Sequence, residues 1–127
     1  KPVRLIFEGI VGYYCGGMGD GPTIEVRGSA GWGLAEGILS GTVIVEKNAG
    51  NGAAAALRGG TVVVRGDVSA RAGISMKGGI VIVGGSVGYA TGFMMQKGTL
   101  IILGNSGMAL GDSLYEGRIF VGGQWRD

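Results

Sequence analysis

Two stretches of this sequence follow nearly the same pattern: GIVIVGGSVGYATG at Gly79–Gly92 and GTLIILGNSGMALG at Gly98–Gly111. They begin 19 residues apart, and GRIFVGG begins a third copy after the same interval, at Gly117. Counting back by this interval reaches four more apolar runs, which open at Gly60, Gly41, Pro22 and Val3. A fixed period of this size is typical of a solenoid, in which each repeat buries its apolar face against its neighbours. The sequence therefore predicts a single repeat domain over residues 1–127.

When the chain is divided into coils of 19 residues from Val3, certain coil positions are apolar throughout. The third position holds Leu5, Ile24, Val43, Val62, Val81, Leu100 and Ile119, and the fifth holds Phe7, Val26, Val45, Val64, Val83, Ile102 and Val121. Residues two apart share one face of a strand, and the many β-branched side chains favour strand over helix. We expect these two positions to form the core, joined near the end of each coil by Ile38, Leu57, Met76, Met95 and Leu114.

Glycines follow each apolar run at a regular spacing. The pattern G-x-x-G-x-x-x-G is complete in three coils, at Gly9, Gly12, Gly16, Gly85, Gly88, Gly92, Gly104, Gly107 and Gly111. Glycine adopts positive φ at low cost, so we expect these nine residues to shape the turns. Three glycines per repeat would each cost a helix about 1 kcal/mol. The pattern therefore predicts an all-β parallel β-helix of about seven coils. In some coils the turn glycine is replaced, by Lys47, Ser69, Ala35 and Ala54, which puts only the local turn geometry in question.

The eighth position of the coil is polar in six successive coils, as Ser29, Asn48, Asp67, Ser86, Asn105 and Gln124. Short polar side chains commonly accept hydrogen bonds from nearby backbone groups in turns. Stacked in one column, they predict a ladder that satisfies the backbone at the first turn.

The composition excludes several classes of protein. Glycine is abundant, at 30 residues, but the strict triplet period and high proline content of collagen are absent. There is no histidine and only one cysteine, Cys15, so this chain by itself cannot form a disulfide, a zinc site or an Fe–S site. The net charge of +2 argues against nucleic acid or a membrane as partner. No membrane span or signal sequence is recognisable, and we expect a cytoplasmic location.

No catalytic, cofactor-binding or metal-binding residues can be assigned from the sequence. The glycine-rich turns lack the complete dinucleotide and phosphate-loop motifs, which argues against an NAD-type enzyme. The aspartates fall at different coil positions, which argues against a calcium-binding β-roll. An independent β-helical binding protein, for ice or carbohydrate, stays open as an alternative, although no flat threonine or aromatic array is evident.

The fourth coil position points outward if the third and fifth point inward. From the third coil onward it is apolar in every coil: Ile44, Val63, Ile82, Ile101 and Phe120. Monomeric proteins rarely expose a continuous apolar patch of more than a few hundred Å². We therefore expect these five residues to form an interface with a partner or with another copy of the chain. Since the open end of a solenoid exposes its core, we also expect this chain to belong to a longer polypeptide or a complex.

The repeated pattern of a strand followed by G-x-x-G-x-x-x-G resembles the GXGXG domain. The resemblance covers the whole chain and is closest to the stand-alone glutamate-synthase-like subunits. Three segments carry it: ARAGISMKGG at 70–79, GFMMQ at 92–96 and ALGDSLYE at 109–116. The family also contains the C-terminal domain of the glutamate synthase large subunit and a β-helical component of formylmethanofuran dehydrogenase.

This resemblance implies a single-stranded right-handed β-helix with no catalytic residues or cofactor of its own. In glutamate synthases, the domain holds a glutamine amidotransferase domain against a synthase domain with FMN and an Fe–S cluster. Such a complex makes glutamate from 2-oxoglutarate and the ammonia released from glutamine. The resemblance therefore implies these two modules as partners, with a formylmethanofuran dehydrogenase component as the alternative assembly and a homo-oligomer possible.

Overall fold

The computed structural model describes residues 3–125, which form one sheet of seven parallel strands paired in the order of the sequence. The strands are β1 (Arg4–Glu8), β2 (Asp20–Arg27), β3 (Ser40–Val45), β4 (Thr61–Val64), β5 (Lys77–Val83), β6 (Lys97–Ile102) and β7 (Arg118–Val121). Each residue in the strand centres pairs with the one 19 positions later, as Leu5 does with Ile24 and Leu100 with Ile119. The predicted β-solenoid with a 19-residue repeat is confirmed.

The core lies behind this sheet and contains the predicted columns. In the second to sixth coils, the third and fifth positions are almost completely buried, as are the four inward residues from Ile38 to Met95. The columns become exposed at the ends of the described solenoid, where Leu5 is 43% exposed and Leu114 39%. Alternation of buried and outward side chains along β2 to β6 therefore organises the coil, as the period of two requires.

Two further columns complete the core, and the sequence analysis did not single them out. The ninth coil position holds Val11, Ala30, Ala49, Val68, Val87 and Ser106, which pair between successive coils as isolated parallel bridges. The thirteenth position includes Leu34, Ala53, Ala72 and Thr91, all fully or nearly fully buried. Four of these ten residues are alanine.

The turn after the ninth position is built from residues of alternating backbone conformation. Positive φ recurs at the twelfth, fourteenth and sixteenth positions of the first six coils, and 11 of these residues are not glycine. Their amide groups pair with adjacent coils: Gly33 N donates to Asn51 O of the next coil, and Ala35 N to Cys15 O of the previous one. Ala35 and Ala54 keep the conformation of the glycines they replace, with φ of 57° and 60°.

The expectation that the nine turn glycines supply positive φ is wrong for five of them. Gly9, Gly16, Gly92 and Gly111 have positive φ, whereas Gly12, Gly85, Gly88, Gly104 and Gly107 do not. Two of those five, Gly85 and Gly104, are instead required by close approach to the backbone of the preceding coil, and Gly88 and Gly107 lie in tight contact with it. A Cβ atom at Gly104 would lie 2.5 Å from Gly85 O, and one at Gly88 would lie 3.1 Å from Ser69 O. Neither reason applies at Gly12.

The predicted polar ladder is confirmed at the eighth coil position. Each side-chain oxygen from Ser29 to Asn105 accepts a hydrogen bond from the backbone N–H of the equivalent residue in the next coil, at 2.8–3.2 Å. The last of these bonds runs from Gln124 N to Asn105 Oδ1, at 2.9 Å. The ladder therefore ties adjacent coils together beside the sheet, where the strand backbone pairing ends.

Candidate interaction surface

The five residues predicted to form an interface are direct neighbours on the outward face of the sheet. Ile44 pairs in register with Val63, Val63 with Ile82, Ile82 with Ile101, and Ile101 with Phe120. The first four side chains are half-buried by their neighbours, and Phe120 is exposed. The structure thus brings these five residues together, while their role as an interface stays a prediction.

The outward face divides into two halves of different character. Toward β7, the stripe widens because Ile80 and Leu103 flank it, and Leu103 is 59% exposed. We call Val63, Ile80, Ile82, Ile101, Leu103 and Phe120 the apolar patch. Toward β1, the same face carries charged side chains beside the stripe, at Glu8, Arg27, Glu46 and Arg65. These four residues share the sixth coil position, and that shared position was the signal that could have predicted the cluster.

The charged half of the face is neutralised by ion pairs between adjacent coils. Arg27 Nη1 lies 3.0 Å from Glu8 Oε2, and Arg65 Nε lies 3.1 Å from Glu46 Oε2. Glu25, the polar exception in the outward column, lies 3.6 Å from Arg27 and 3.8 Å from Arg4. Exposed pairs of this kind each contribute at most about 1 kcal/mol. They neutralise one another on this half of the face, whereas the apolar patch carries no charged side chain.

A groove runs beside the apolar patch, where β5 and β6 begin. It has a volume of about 830 Å³ and is lined by Lys77, Gln96, Lys97, Tyr115 and Glu116. Lys97 and Glu116 occupy the same coil position one coil apart and carry opposite charges. Within residues 3–125, neither side chain has an ion-pair partner within 4.0 Å. The groove is open and lies at the edge of the sheet face.

A second surface lies on the turn side of the solenoid, and the sequence analysis missed it. The eleventh coil position includes Tyr13 and Trp32, whose rings stack with centroids 5.4 Å apart, and Tyr89. The guanidinium of Arg71 lies 5.9 Å from the centroid of the Tyr89 ring. Shallow grooves of about 210 and 180 Å³ flank Arg71. The shared coil position of the aromatic residues was the signal that could have revealed this surface.

The sequence contains one cysteine, Cys15, and no histidine. Cys15 is half-buried, and the resulting desolvation raises the pKa of its thiol. Among residues 3–125, no group of three His, Cys, Asp or Glu side chains could hold a metal ion. Over the same residues, no helix has the length and hydropathy needed to cross a membrane.

Fold and surface together define this chain as a parallel β-solenoid with two distinct surfaces. One is the outward sheet face, and the other is the aromatic turn face, formed by Tyr13, Trp32, Arg71 and Tyr89. Part of it is similar to Protein GlxC of Rhizobium meliloti (strain 1021), with 54% identity over 44 residues. The matched stretch is 35% of this chain and 19% of GlxC. No protein-family model matches the chain.

Proposed function

We propose that this chain is the non-catalytic β-helical component of a glutamate-synthase-like complex. In this role it holds a glutamine amidotransferase module against a synthase module that carries FMN and an Fe–S cluster. The observation that carries the proposal is the 19-residue repeat itself, since a strand followed by G-x-x-G-x-x-x-G resembles the GXGXG domain and folds here as a solenoid. The identity to GlxC adds that part of this sequence recurs in another protein.

The shape of the chain suits such a role. Seven strands at about 4.8 Å spacing make a rod roughly 30 Å long. Backbone hydrogen bonds join every pair of adjacent coils, both in the sheet and through the turns. The sides of the rod are distinct surfaces, so two modules could contact it without competing. A rod of this kind supports chemistry by fixing the distance between partners, so it needs no reactive groups of its own.

The proposal is tested by purifying the native assembly through an affinity tag on this chain. We expect an amidotransferase and a flavin- and Fe–S-containing protein to co-purify, and the assembly to form glutamate from glutamine and 2-oxoglutarate. Removing the chain should abolish the glutamine-dependent reaction and leave the ammonia-dependent reaction of the synthase intact, because only the transfer of ammonia needs both modules together.

Two results would contradict the proposal. One is an assembly that lacks either module. The other is equal loss of the glutamine-dependent and ammonia-dependent reactions while both modules stay folded, because that result would place this chain in the chemistry itself.

A further inference from the structure

The outward face of the sheet has a relief that a second copy of the same face would fit. Its side chains come from the second, fourth and sixth coil positions, because residues two apart share a face. The second position is threonine in four of the seven coils. In the other three coils its side chain is larger, and the sixth position of the same strand then carries a matching residue. These three pairs are Arg4 with Glu8, Ile80 with Gly84, and Arg118 with Gly122.

The two glycines are permanent hollows in this face. A Cβ atom at Gly84 would collide with the carbonyl oxygen of Arg65, and one at Gly122 would lie 2.7 Å from Leu103 O. Close packing against the preceding coil therefore excludes a side chain at either position. Each hollow lies in the same strand as a large exposed side chain, Ile80 or Arg118.

We propose that a second copy of this chain covers the face, related by a two-fold axis that runs along the solenoid over the fourth coil position. The rotation stacks each strand on the same strand of the second copy, in the opposite direction. The second position of one copy then faces the sixth position of the other. Ile80 faces Gly84 of the second copy, and Arg118 faces Gly122, and symmetry repeats each contact.

The apolar stripe is matched to itself by this rotation. Each residue of the fourth position meets its own symmetry mate, so Ile82 meets Ile82 and Phe120 meets Phe120 of the second copy. All five apolar residues from Ile44 to Phe120 are covered at once. Sheets that pack face to face keep their strands within about 30° of one another, which lets this overlap extend over several strands.

The charged residues also fit the rotation. Glu8 faces Arg4 of the second copy, whereas Glu46 and Arg65 each face a threonine. Glu25 meets its own symmetry mate, and in each copy Arg4 and Arg27 already lie within 4 Å of this carboxylate. Charge complementarity of this kind favours one orientation of the two copies.

A two-fold axis parallel to the strands fits the same face less well. To overlap the two faces completely, that axis would run along β4, which places Arg65 against its own symmetry mate. The same rotation places Glu25 against Ile101 of the second copy. Like charges and desolvated charges both oppose association. The axis along the solenoid has one like-charge contact, at Glu25, where Arg4 and Arg27 of each copy lie within 4 Å of the carboxylate, so the charges favour this axis.

The contact area predicts a weak dimer. Seven strands at about 4.8 Å and five residues at about 3.3 Å give a footprint of roughly 550 Å² per copy. A stable interface of standard size buries roughly 800 Å² on each partner. We therefore expect a dimer that forms and dissociates with protein concentration. It leaves the aromatic turn face of each copy free for other modules.

Sedimentation velocity on the whole chain, from micromolar to millimolar concentration, tests the proposal. We expect a monomer–dimer equilibrium, and Ile82→Lys should raise the dissociation constant at least about thirtyfold, as for a central interface residue. Ile74→Lys is the matched control, because Ile74 is also half-buried but lines the grooves of the turn side. It should dimerise like the wild type. Circular dichroism checks that both variants keep the fold.

The axis over the fourth position allows a sharper test that a structural defect would not mimic. Ile82→Lys and Ile82→Glu should each be monomeric, because each places two like charges together on the axis within the apolar patch, without the neighbouring arginines that Glu25 has. An equimolar mixture of the two variants should restore a dimer, since the lysine of one chain then meets the glutamate of the other. Ile101→Lys and Ile101→Glu provide the same test one strand away.

Four results would overturn the proposal. They are a wild type that is monomeric at all concentrations, wild-type association of Ile82→Lys, assembly beyond a dimer, and failure of both mixtures to recover a dimer. The last of these would exclude this axis even if the face does associate.

Discussion

Two buried alanines of the same coil offer a direct measure of the strain in the turns. Ala54 has a φ of 60°, whereas Ala49 is not among the residues with positive φ. Both side chains lie in the core, with exposures of 0% and 4%. Ala54→Gly and Ala49→Gly therefore remove the same methyl group from similar surroundings and differ mainly in the backbone conformation of the residue.

The two substitutions should differ in free energy of unfolding by about 1 kcal/mol or more. Losing a buried methyl group costs about 0.8 kcal/mol, and the added backbone freedom of glycine costs about 0.5–1 kcal/mol. Ala49→Gly should therefore destabilise by about 1.5 kcal/mol. At Ala54, relief of the left-handed conformation returns about 1–2 kcal/mol, so Ala54→Gly should lie within about 0.5 kcal/mol of the wild type.

Urea unfolding of the three proteins measures this difference. Since repeat proteins can unfold in steps, circular dichroism and tryptophan fluorescence should first be shown to give coincident transitions. Ala35→Gly, at the equivalent turn position with a φ of 57°, should behave like Ala54→Gly. Equal destabilisation by Ala54→Gly and Ala49→Gly would refute the claim that the turn stores backbone strain.

Three further perturbations test the turn, the ladder and the cysteine. Gly88→Val should destabilise the chain by about 1–3 kcal/mol through overpacking against the preceding coil, and Ser69→Val at the same coil position should have a smaller effect. Equal shifts in melting temperature for the two variants would exclude close packing as the reason for glycine. Asn105→Ala removes the acceptor of Gln124 N and should cost about 0.5–1.5 kcal/mol; an unchanged melting temperature would show that water replaces this bond. Because burial raises the pKa of Cys15, the pH at which its alkylation accelerates should be higher in the folded chain than in urea. The stability that the protonated thiol contributes should be lost as pH rises from the unfolded pKa through the folded pKa. Identical pH profiles of the alkylation rate in the two states would contradict the desolvation.

The sequence by itself determined the repeat, the strand columns and the polar ladder. Coils of equal length stack directly on one another, so a residue's neighbour in space is the residue 19 positions away. Residues that share a coil position in the sequence are therefore the residues that contact one another in the structure. The apolar columns at the third and fifth positions, mostly valine and isoleucine, were sufficient to locate the core.

The reason for each glycine could not be read from the sequence. Glycine is favoured where φ is positive, as at Gly92, and required where the preceding coil lies too close for a Cβ atom, as at Gly104. Both reasons place glycine at regularly spaced positions, so the sequence does not distinguish them. Conversely, Ala35 and Ala54 adopt positive φ without glycine, because inter-coil hydrogen bonds hold the backbone in that conformation.

Only the tertiary structure decided how the surface is divided. The period of two predicted which strand residues point outward. The exposure and charge pairing of each residue depend on the side chains beside it in the neighbouring columns. Leu103 beside Gly84 and Phe120 extends the apolar patch, whereas Glu46 and Arg65 neutralise each other on the same face. Exposure and charge pairing are properties of several coils packed together, and a single repeat does not contain them.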